Sequence, residues 1–476
     1  KAKEVLDKYC SFMPVPIFVT NEDAGEQTEE IPEEEVTEKD TVLDTFIKDA
    51  VTEEVEKEDG TKETVEKVPA KKMAKIVKRP VAINDIHPLW TKHPNECSDE
   101  DYKEFYRKVF HDYKEPLFWI HLNMDYPFNL KGILYFPKIN TEYESIEGTI
   151  KLYNNQVFVA DNIKEVIPEF LLLLKGVIDC PDLPLNVSRS ALQNDGFVKK
   201  ISDYITKKVA DKLSGMCKTD KENYEKYWDD INPFIKFGCL KDEKFAEKMN
   251  DYIIFKNLDG KYLTLKECLE ENKEKHENTV FYVTDEIEQS QYINMFKNEG
   301  IDAVILTHNI DQPFITNMES KNENLKFKRI DADLSDSFKE ETSKDELKDM
   351  TEKLSKTFKD ALGNENLTVS VEKLKDASIS SMITLSEESR RMQDMMKMYG
   401  MAGMDPNMFG AEGQTLVLNA NNDLVKYVAE HTDGENTKII CEQLYDLAML
   451  SHAPLSPEQM TGFIARSNKI MELLAK

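Results

Sequence analysis

Residues 179–194 restrict the folds open to this chain more than any other stretch. They read Asp-Cys-Pro-Asp-Leu-Pro-Leu-Asn-Val-Ser-Arg-Ser-Ala-Leu-Gln-Asn and lie between an apolar run and a helical pattern. The two prolines exclude regular helix, because each one removes a backbone donor and restricts the residue before it. Asn186 and Ser188 are suitable caps for a helix that starts near Arg189. The sequence therefore predicts a rigid loop, at about residues 179–195, that leads into a helix.

This loop places three polar side chains near one helix start. Arg189 and Gln193 are four residues apart and share a helical face, and Asn186 precedes them. A guanidinium and an amide at a helix N-terminus suit an anionic oxygen such as a terminal phosphate. A loop arginine is more often part of a surface ion pair than a catalytic group. The pattern alone leaves both interpretations open.

Length and composition exclude several classes of protein. A chain of 476 residues can form two to four domains with real cores. The net charge of −28 argues against a nucleic-acid partner. No apolar run approaches the roughly 20 residues of a membrane span, and no signal peptide opens the chain. The cysteines and histidines show no metal-binding spacing, so we expect no metal site and a reducing, cytoplasmic setting.

The loop also carries a family resemblance. Asp-Leu-Pro-Leu-Asn-Val-Ser-Arg at residues 182–189, followed by Leu192-Gln193, resembles the middle-domain catalytic loop of the ninety-kilodalton heat-shock chaperones. The chain ends without the eukaryotic Met-Glu-Glu-Val-Asp tail, which indicates the bacterial branch. In that family the arginine reaches the γ-phosphate of ATP. The resemblance implies that Arg189 is catalytic and contacts the nucleotide, and that Gln193 and Asn186 support the hydrolysing state.

One departure from the family pattern lies inside the loop. Ser190-Ala191 stands where the family usually has Glu-Met or Glu-Ile, so no role passes to a glutamate here. A second departure lies at Asn154-Asn155-Gln156, where the family often has Arg-Arg before Val-Phe. The arginine itself is intact.

The first 82 residues resemble the junction that precedes the family's middle domain. Residues 1–20 resemble the end of its N-terminal ATPase domain, so we expect that domain, with its ATP and Mg²⁺, to be missing from this chain. No phosphate-binding Gly-x-x-x-x-Gly-Lys-Ser/Thr motif occurs. Residues 21–82 are rich in charge and are expected to form a solvated linker, with a small hairpin at Asp59-Gly60 as the alternative.

Residues 83–335 are predicted to form a middle domain with α-β-α layers. Trp119 lies in its first strand; it is either a core residue or, as the resemblance implies, part of a client-binding surface. At about residues 250–335, short apolar strands alternate with helices, which predicts a small parallel sheet with helices on both faces. No glycine-rich turn there suggests a dinucleotide site.

Residues 345–476 are predicted to form a mixed α/β C-terminal domain. A helical stripe of Met392, Met395, Met396 and Tyr399 is typical either of a core or of a surface that accepts many partners, because methionine adapts its shape. The resemblance implies that these four residues contact unfolded clients.

The last two helices, at 437–450 and 456–474, carry apolar faces that they cannot both bury. This pattern predicts a two-fold four-helix bundle with a second copy of the chain, as in the family. The predicted dimer contacts are Leu444, Leu447, Phe463, Ile464, Ile470 and Leu473.

Together these features predict a multidomain protein of α/β and α+β class. The resemblance implies an ATP-dependent molecular chaperone that binds unfolded or partly folded clients as a cytoplasmic homodimer, with no nucleic-acid or membrane partner. The alternative is a dimeric holdase that binds clients without ATP. Whether this chain alone is an enzyme stays open, since hydrolysis needs the missing domain. A metal- or nucleic-acid-dependent enzyme finds no support in the Cys, His or charge pattern.

Overall fold

The computed structural model divides the chain into two compact units. The first contains residues 1–168 and 172–205, and the second contains residues 169–171 and 206–476. Both mix helices with small sheets, so the predicted multidomain α/β class is confirmed. The structure describes residues 2–20, 25, 27–48, 51–56, 62–68, 71–138, 148–163, 166–184, 195–332, 338–340, 344–385, 414–451 and 455–475.

The first unit begins with a helix and the charge-rich segment. This part contains α1 (Ala2–Cys10), β1 (Thr28–Pro32), β2 (Val42–Lys48), β3 (Val51–Glu56), β4 (Lys62–Val68) and β5 (Lys71–Val77). Strand β5 pairs antiparallel with both β1 and β2, and β3 pairs antiparallel with β4 across residues 57–61. The strand pairing of the hairpin alternative is therefore confirmed, and its predicted turn at Asp59-Gly60 lies outside the described residues.

The charge-rich segment is more ordered than the solvated linker we expected. Alternate residues of β5, Ala74 and Ile76, are fully buried, as the period of a half-buried strand requires. The Arg79 guanidinium binds Asp40 and holds the pKa of that carboxyl well below its usual range. Because acidic and basic stretches pair across the sheet, the segment can fold despite its high charge.

The rest of the first unit is a five-stranded sheet that packs against a helix. Its elements are α2 (Asp99–Phe110), β6 (Phe118–Met124), β7 (Leu130–Phe136), β8 (Ile150–Asn154), β9 (Val157–Asp161) and β10 (Lys175–Asp179). The strand order is β6-β7-β10-β8-β9, with β10 parallel to β8 and antiparallel to β7. Ser98 and Asp101 form the capping box that starts α2. Strand β10 therefore lies in the middle of the sheet.

The second unit opens with helices and the predicted parallel sheet. Helix α3 (Asp195–Thr219) ends in this unit. The elements that follow are α4 (Lys221–Lys241), α5 (Glu243–Met249), β11 (Ile254–Lys256), β12 (Tyr262–Thr264), α6 (Leu265–Glu271), β13 (Thr279–Val283), α7 (Ser290–Asn298), β14 (Ala303–Ile305), α8 (Asp311–Lys321) and β15 (Lys326–Arg329). Strand β13 pairs parallel with both β14 and β15. The predicted small parallel sheet is confirmed.

The C-terminal part of this unit is also mixed α/β. It contains α9 (Lys344–Leu362), β16 (Thr368–Glu372), β17 (Ser381–Leu385), β18 (Gln414–Asn419), α10 (Asp423–Glu430), α11 (Thr437–Leu450) and α12 (Pro457–Leu474). Strand β18 lies between β16, to which it is parallel, and β17, to which it is antiparallel. Buried residues of α9, β18 and α11, among them Phe358, Leu416 and Leu444, form one core. Within the described residues, no helix has the length and apolarity needed to cross a membrane.

Candidate functional site

The predicted catalytic loop is described at both of its ends. Asn186, Arg189 and Gln193 themselves lie outside the described residues. Strand β10 and residues 180–184 lead into the loop, and α3 follows it. We call residues 179–184 the loop stalk, since their position sets where the arginine segment begins.

Asp179, at the end of β10, is the buried polar group of the loop stalk. This residue is only 6% exposed. Its Oδ2 accepts hydrogen bonds from Trp90 Nε1 at 3.2 Å and from the Gln156 backbone N–H at 3.0 Å. Oδ1 has no hydrogen-bond partner among the described residues. Burial raises the pKa of Asp179, and the hydrogen bonds from Trp90 and Gln156, the Asn155 backbone N–H and the Lys131 charge oppose that rise.

The Asn154 side chain and the Asn129 backbone N–H also hold the loop stalk. Asn154 Nδ2 donates to the carbonyl oxygens of Cys180 and Pro181, each at 3.1 Å. On the other side, the Asn129 backbone N–H donates to Asp182 Oδ2 at 2.7 Å. Residues from three separate strand ends thus contact four consecutive residues of the loop stalk. Burial also raises the pKa of the Cys180 thiol to about 12, so this cysteine is a packing residue and not a nucleophile.

The turn between β8 and β9 is shaped to make these contacts. Asn155 and Gln156 connect the two strands with φ of 51° and 63°, the left-handed conformation of a two-residue hairpin turn. Asparagine adopts this conformation readily, but glutamine does so rarely. In the sequence, only the departure of Asn154-Asn155-Gln156 from the family pattern marked this turn. That departure did not predict Asp179 or Trp90 as hydrogen-bond partners.

Trp119 packs within its own domain. Its ring is partly buried and stacks on Tyr102, with ring centroids 4.9 Å apart and an interplanar angle of 22°. The Tyr102 hydroxyl in turn forms a hydrogen bond with His121 Nδ1 at 2.7 Å. These contacts fit the core alternative, and the client-binding role of Trp119 stays a prediction. The other predicted client residues, Met392, Met395, Met396 and Tyr399, lie outside the described residues.

The predicted dimer residues divide into exposed and buried groups. Ile464 is 53% exposed and Leu473 46% exposed, and Leu447 is also exposed. Phe463 and Ile470 are partly buried. Leu444 is only 1% exposed and belongs to the core of its own chain, so its side chain lies beneath the predicted dimer surface.

Arg466 links the two C-terminal helices through polar contacts. From α12 it donates to Gln443 Oε1 at 3.0 Å and Glu442 Oε2 at 3.2 Å on α11, and it also binds Asp446 there. Burial raises the pKa of Asp446, and the Arg466 charge opposes that rise. The exposed apolar side chains of α11 and α12 are therefore presented in a defined arrangement.

No metal centre is visible in the part of the chain that the structure describes. There, no group of three or more Cys, His, Asp or Glu side chains has an arrangement that could hold an ion. All seven cysteines are free thiols, and among the described residues none belongs to a group of side chains that could bind zinc. The sequence prediction of the arginine loop, which follows the loop stalk in the chain, and the exposed apolar side chains of α11 and α12 define the candidate regions.

Comparison of the sequence with known proteins assigns this chain to one family. A sequence model of the family described as Hsp90 protein matches residues 1–476. The chain therefore belongs to the Hsp90 family, as the loop resemblance predicted.

Three relatives in that family are each called chaperone protein HtpG. The relative from Bacteroides thetaiotaomicron is 38% identical over 448 residues, which cover 91% of this chain and 59% of the relative. The relative from Bacteroides fragilis is 42% identical over 367 residues, 74% of this chain and 53% of the relative. The relative from Porphyromonas gingivalis is 41% identical over 363 residues, 73% and 52% respectively. The chain thus spans little more than half the length of these relatives.

Proposed function

We propose that this chain is the client-binding and dimerising part of an ATP-dependent chaperone of the HtpG type. The observation that carries the proposal is the Hsp90 match over residues 1–476, which includes the arginine-loop motif at 182–189. The relatives called chaperone protein HtpG, 38% to 42% identical, support the same function. The free cysteines agree with a reducing, cytoplasmic location, which is part of the proposal.

In this proposal the chain completes an active site whose nucleotide is bound by an N-terminal domain. That domain would hold ATP and Mg²⁺, and the ion would supply charge neutralisation at the phosphates. Arg189 supplies a permanently charged, bidentate donor to the γ-phosphate, where negative charge must be stabilised as the phosphoryl group transfers. Gln193 and Asn186 keep the loop in the orientation that permits hydrolysis.

A dimeric holdase is the second candidate function. The sequence has no phosphate-binding glycine motif, so the chain alone is expected to bind clients without hydrolysing ATP. Equilibrium dialysis of the 476-residue chain with labelled ATP tests whether the nucleotide is bound outside this chain. We expect no binding at micromolar ATP. Micromolar binding would contradict the assignment of the nucleotide to another domain.

The methionine stripe gives a test of client binding. Replacing Met392, Met395, Met396 and Tyr399 together by Ser is expected to abolish suppression of client aggregation, because the apolar contacts are lost. Light scattering of a thermally unfolding client measures the effect, and sedimentation checks that the dimer persists. The matched control replaces the methionines by Leu and Tyr399 by Phe, which keeps the apolar surface and should retain suppression. Full suppression by the Ser variant would refute the assignment.

The exposed C-terminal face gives a test of dimerisation. Ile464→Glu with Leu473→Glu places four charges, two from each copy, in the proposed interface. Each apolar side chain lost from the interface weakens the free energy of dimerisation by about 1.5–3 kcal/mol. We therefore expect the dimer dissociation constant to rise by at least about 100-fold. Sedimentation velocity across protein concentration measures it.

Tyr113→Glu is the matched control for the dimer test. Tyr113 is highly exposed in the first unit, away from the predicted dimer helices in the sequence. This variant should sediment like the parent protein. A double Glu variant of α12 that stays dimeric to the same dilution as the parent would show that the interface lies elsewhere.

A further inference from the structure

We infer that Asp179 and Asn154 are positioning residues for hydrolysis: they hold the loop stalk so that the arginine segment starts from one fixed place. This inference rests on the proposed function. Neither residue is expected to touch ATP; both act through the loop. Three independent features of the described residues support it.

The first feature is the position of Asp179 in the sheet. Strand β10 has a paired neighbour on each side, and Asp179 is in register with Lys131 of β7 and Tyr153 of β8. A residue at the end of a central strand is held by both neighbouring strands. The loop stalk therefore leaves the sheet from a point that has little freedom to move.

The second feature is that a carboxylate occupies this buried place. Burying a carboxylate is costly unless hydrogen bonds compensate, and here Oδ2 has two donors while Oδ1 has no partner among the described residues. The donor from Gln156 also requires a left-handed glutamine. Incompletely satisfied buried groups and unfavourable backbone conformations are concentrated at functional sites. An apolar residue would fill the space more cheaply but could not hold Trp90 and Gln156.

The third feature is the pair of hydrogen bonds from Asn154. Pro181 has no backbone N–H, so the chain cannot continue as a regular strand beyond Cys180. Asn154 Nδ2 binds the carbonyl oxygens of both residues and takes the place of strand pairing there. Arg189 lies only eight residues beyond Pro181 in the sequence. A displacement of about 1 Å at a reacting group can cost about 100-fold in rate, so a loosened stalk should reduce hydrolysis.

Kinetics of the chain fused to an N-terminal domain test the inference. The chain is joined to the N-terminal domain of the Bacteroides thetaiotaomicron relative, and kcat and KM for ATP are measured for Asp179→Ala and Asn154→Ala. We expect kcat to fall by about 10-fold to 100-fold while KM for ATP changes by less than about twofold, because the nucleotide is bound elsewhere. General loss of folded protein would instead appear in the melting temperature, which is recorded for each variant.

Asp179→Asn is the conservative variant. It keeps the shape and one acceptor oxygen for Trp90 and Gln156, so we expect it to recover most of the kcat that Asp179→Ala loses. If Asp179→Ala and Asn154→Ala both keep kcat within about twofold of the parent, the inference is overturned. If Asp179→Asn is as slow as Asp179→Ala, positioning by hydrogen bonds is overturned as well.

A second measurement needs no ATP. Hydrogen exchange of the 476-residue chain should show faster exchange at residues 185–194 in Asp179→Ala than in Asp179→Asn, because only the alanine releases the stalk. Equal exchange in the two variants would contradict the inference. The inference and the proposed function fail in different ways. Full ATP hydrolysis by Arg189→Ala would contradict the proposed function. If Arg189→Ala loses ATP hydrolysis but Asp179→Ala does not, only the positioning role is overturned.

Discussion

Arg189→Ala is expected to lower kcat for ATP hydrolysis by about 10³-fold to 10⁵-fold when the chain is joined to the N-terminal domain of an HtpG relative. The reason is electrostatic. In the proposal, the guanidinium at the γ-phosphate stabilises the transition state more than bound ATP, so its loss affects kcat more than the binding of ATP. Steady-state phosphate release over a range of ATP concentrations measures kcat and KM separately.

Two controls make this prediction specific. Arg189→Lys keeps the charge but loses the planar, bidentate geometry, so it should fall between the parent and Arg189→Ala. Arg107→Ala removes an arginine from a surface ion pair with Glu100, and such pairs contribute little, so this variant should hydrolyse ATP like the parent. If Arg189→Ala turned over ATP at the parent rate, the arginine loop would have no catalytic role.

Asp311→Ala is expected to cost about 3–5 kcal/mol of the free energy of unfolding. Lys236 on α4 and Asp311 on α8 form an ion pair with side chains 3% and 4% exposed. Lys236 Nζ also donates to Asn232 Oδ1 at 3.1 Å, and the His308 backbone N–H donates to Asp311 Oδ2 at 2.9 Å. Removing the carboxylate would leave a buried ammonium without its counter-ion. Denaturant unfolding followed by fluorescence measures the loss.

The same measurement on two other variants separates charge from packing. Lys236→Met combined with Asp311→Leu removes both charges and keeps the volume, so it should recover most of the lost stability. Asp211→Ala breaks the ion pair with Lys248, in which both side chains are well exposed, and should change stability by less than about 0.5 kcal/mol. A cost of less than about 1 kcal/mol for Asp311→Ala would contradict the prediction.

Local sequence determined much of the fold, because its signals act over a few residues. Ser98 and Asp101 start α2 through a capping box, whose two hydrogen bonds span three residues. The alternation of apolar strands with helices specified a parallel sheet, since parallel neighbours need a crossover between them. The prolines of residues 181–184 ended β10 before the arginine loop. The family resemblance also came from a continuous motif, and the match over the whole chain confirmed it.

Other features were decided only by the tertiary structure, because they join residues that are far apart in the sequence. Trp90 and Asp179 are separated by 89 residues, and no local spacing predicts their hydrogen bond. The charge-rich stretch forms a sheet because β5 pairs with both β1 and β2, which lie well before it in the sequence. An ion pair between Arg79 and Asp40 joins basic and acidic parts of the same stretch. Likewise Leu444 and Ile464 are both apolar residues of amphipathic helices. Packing against α9 and β18 buries the first and leaves the second exposed, since burial depends on which elements the fold brings to each helix face.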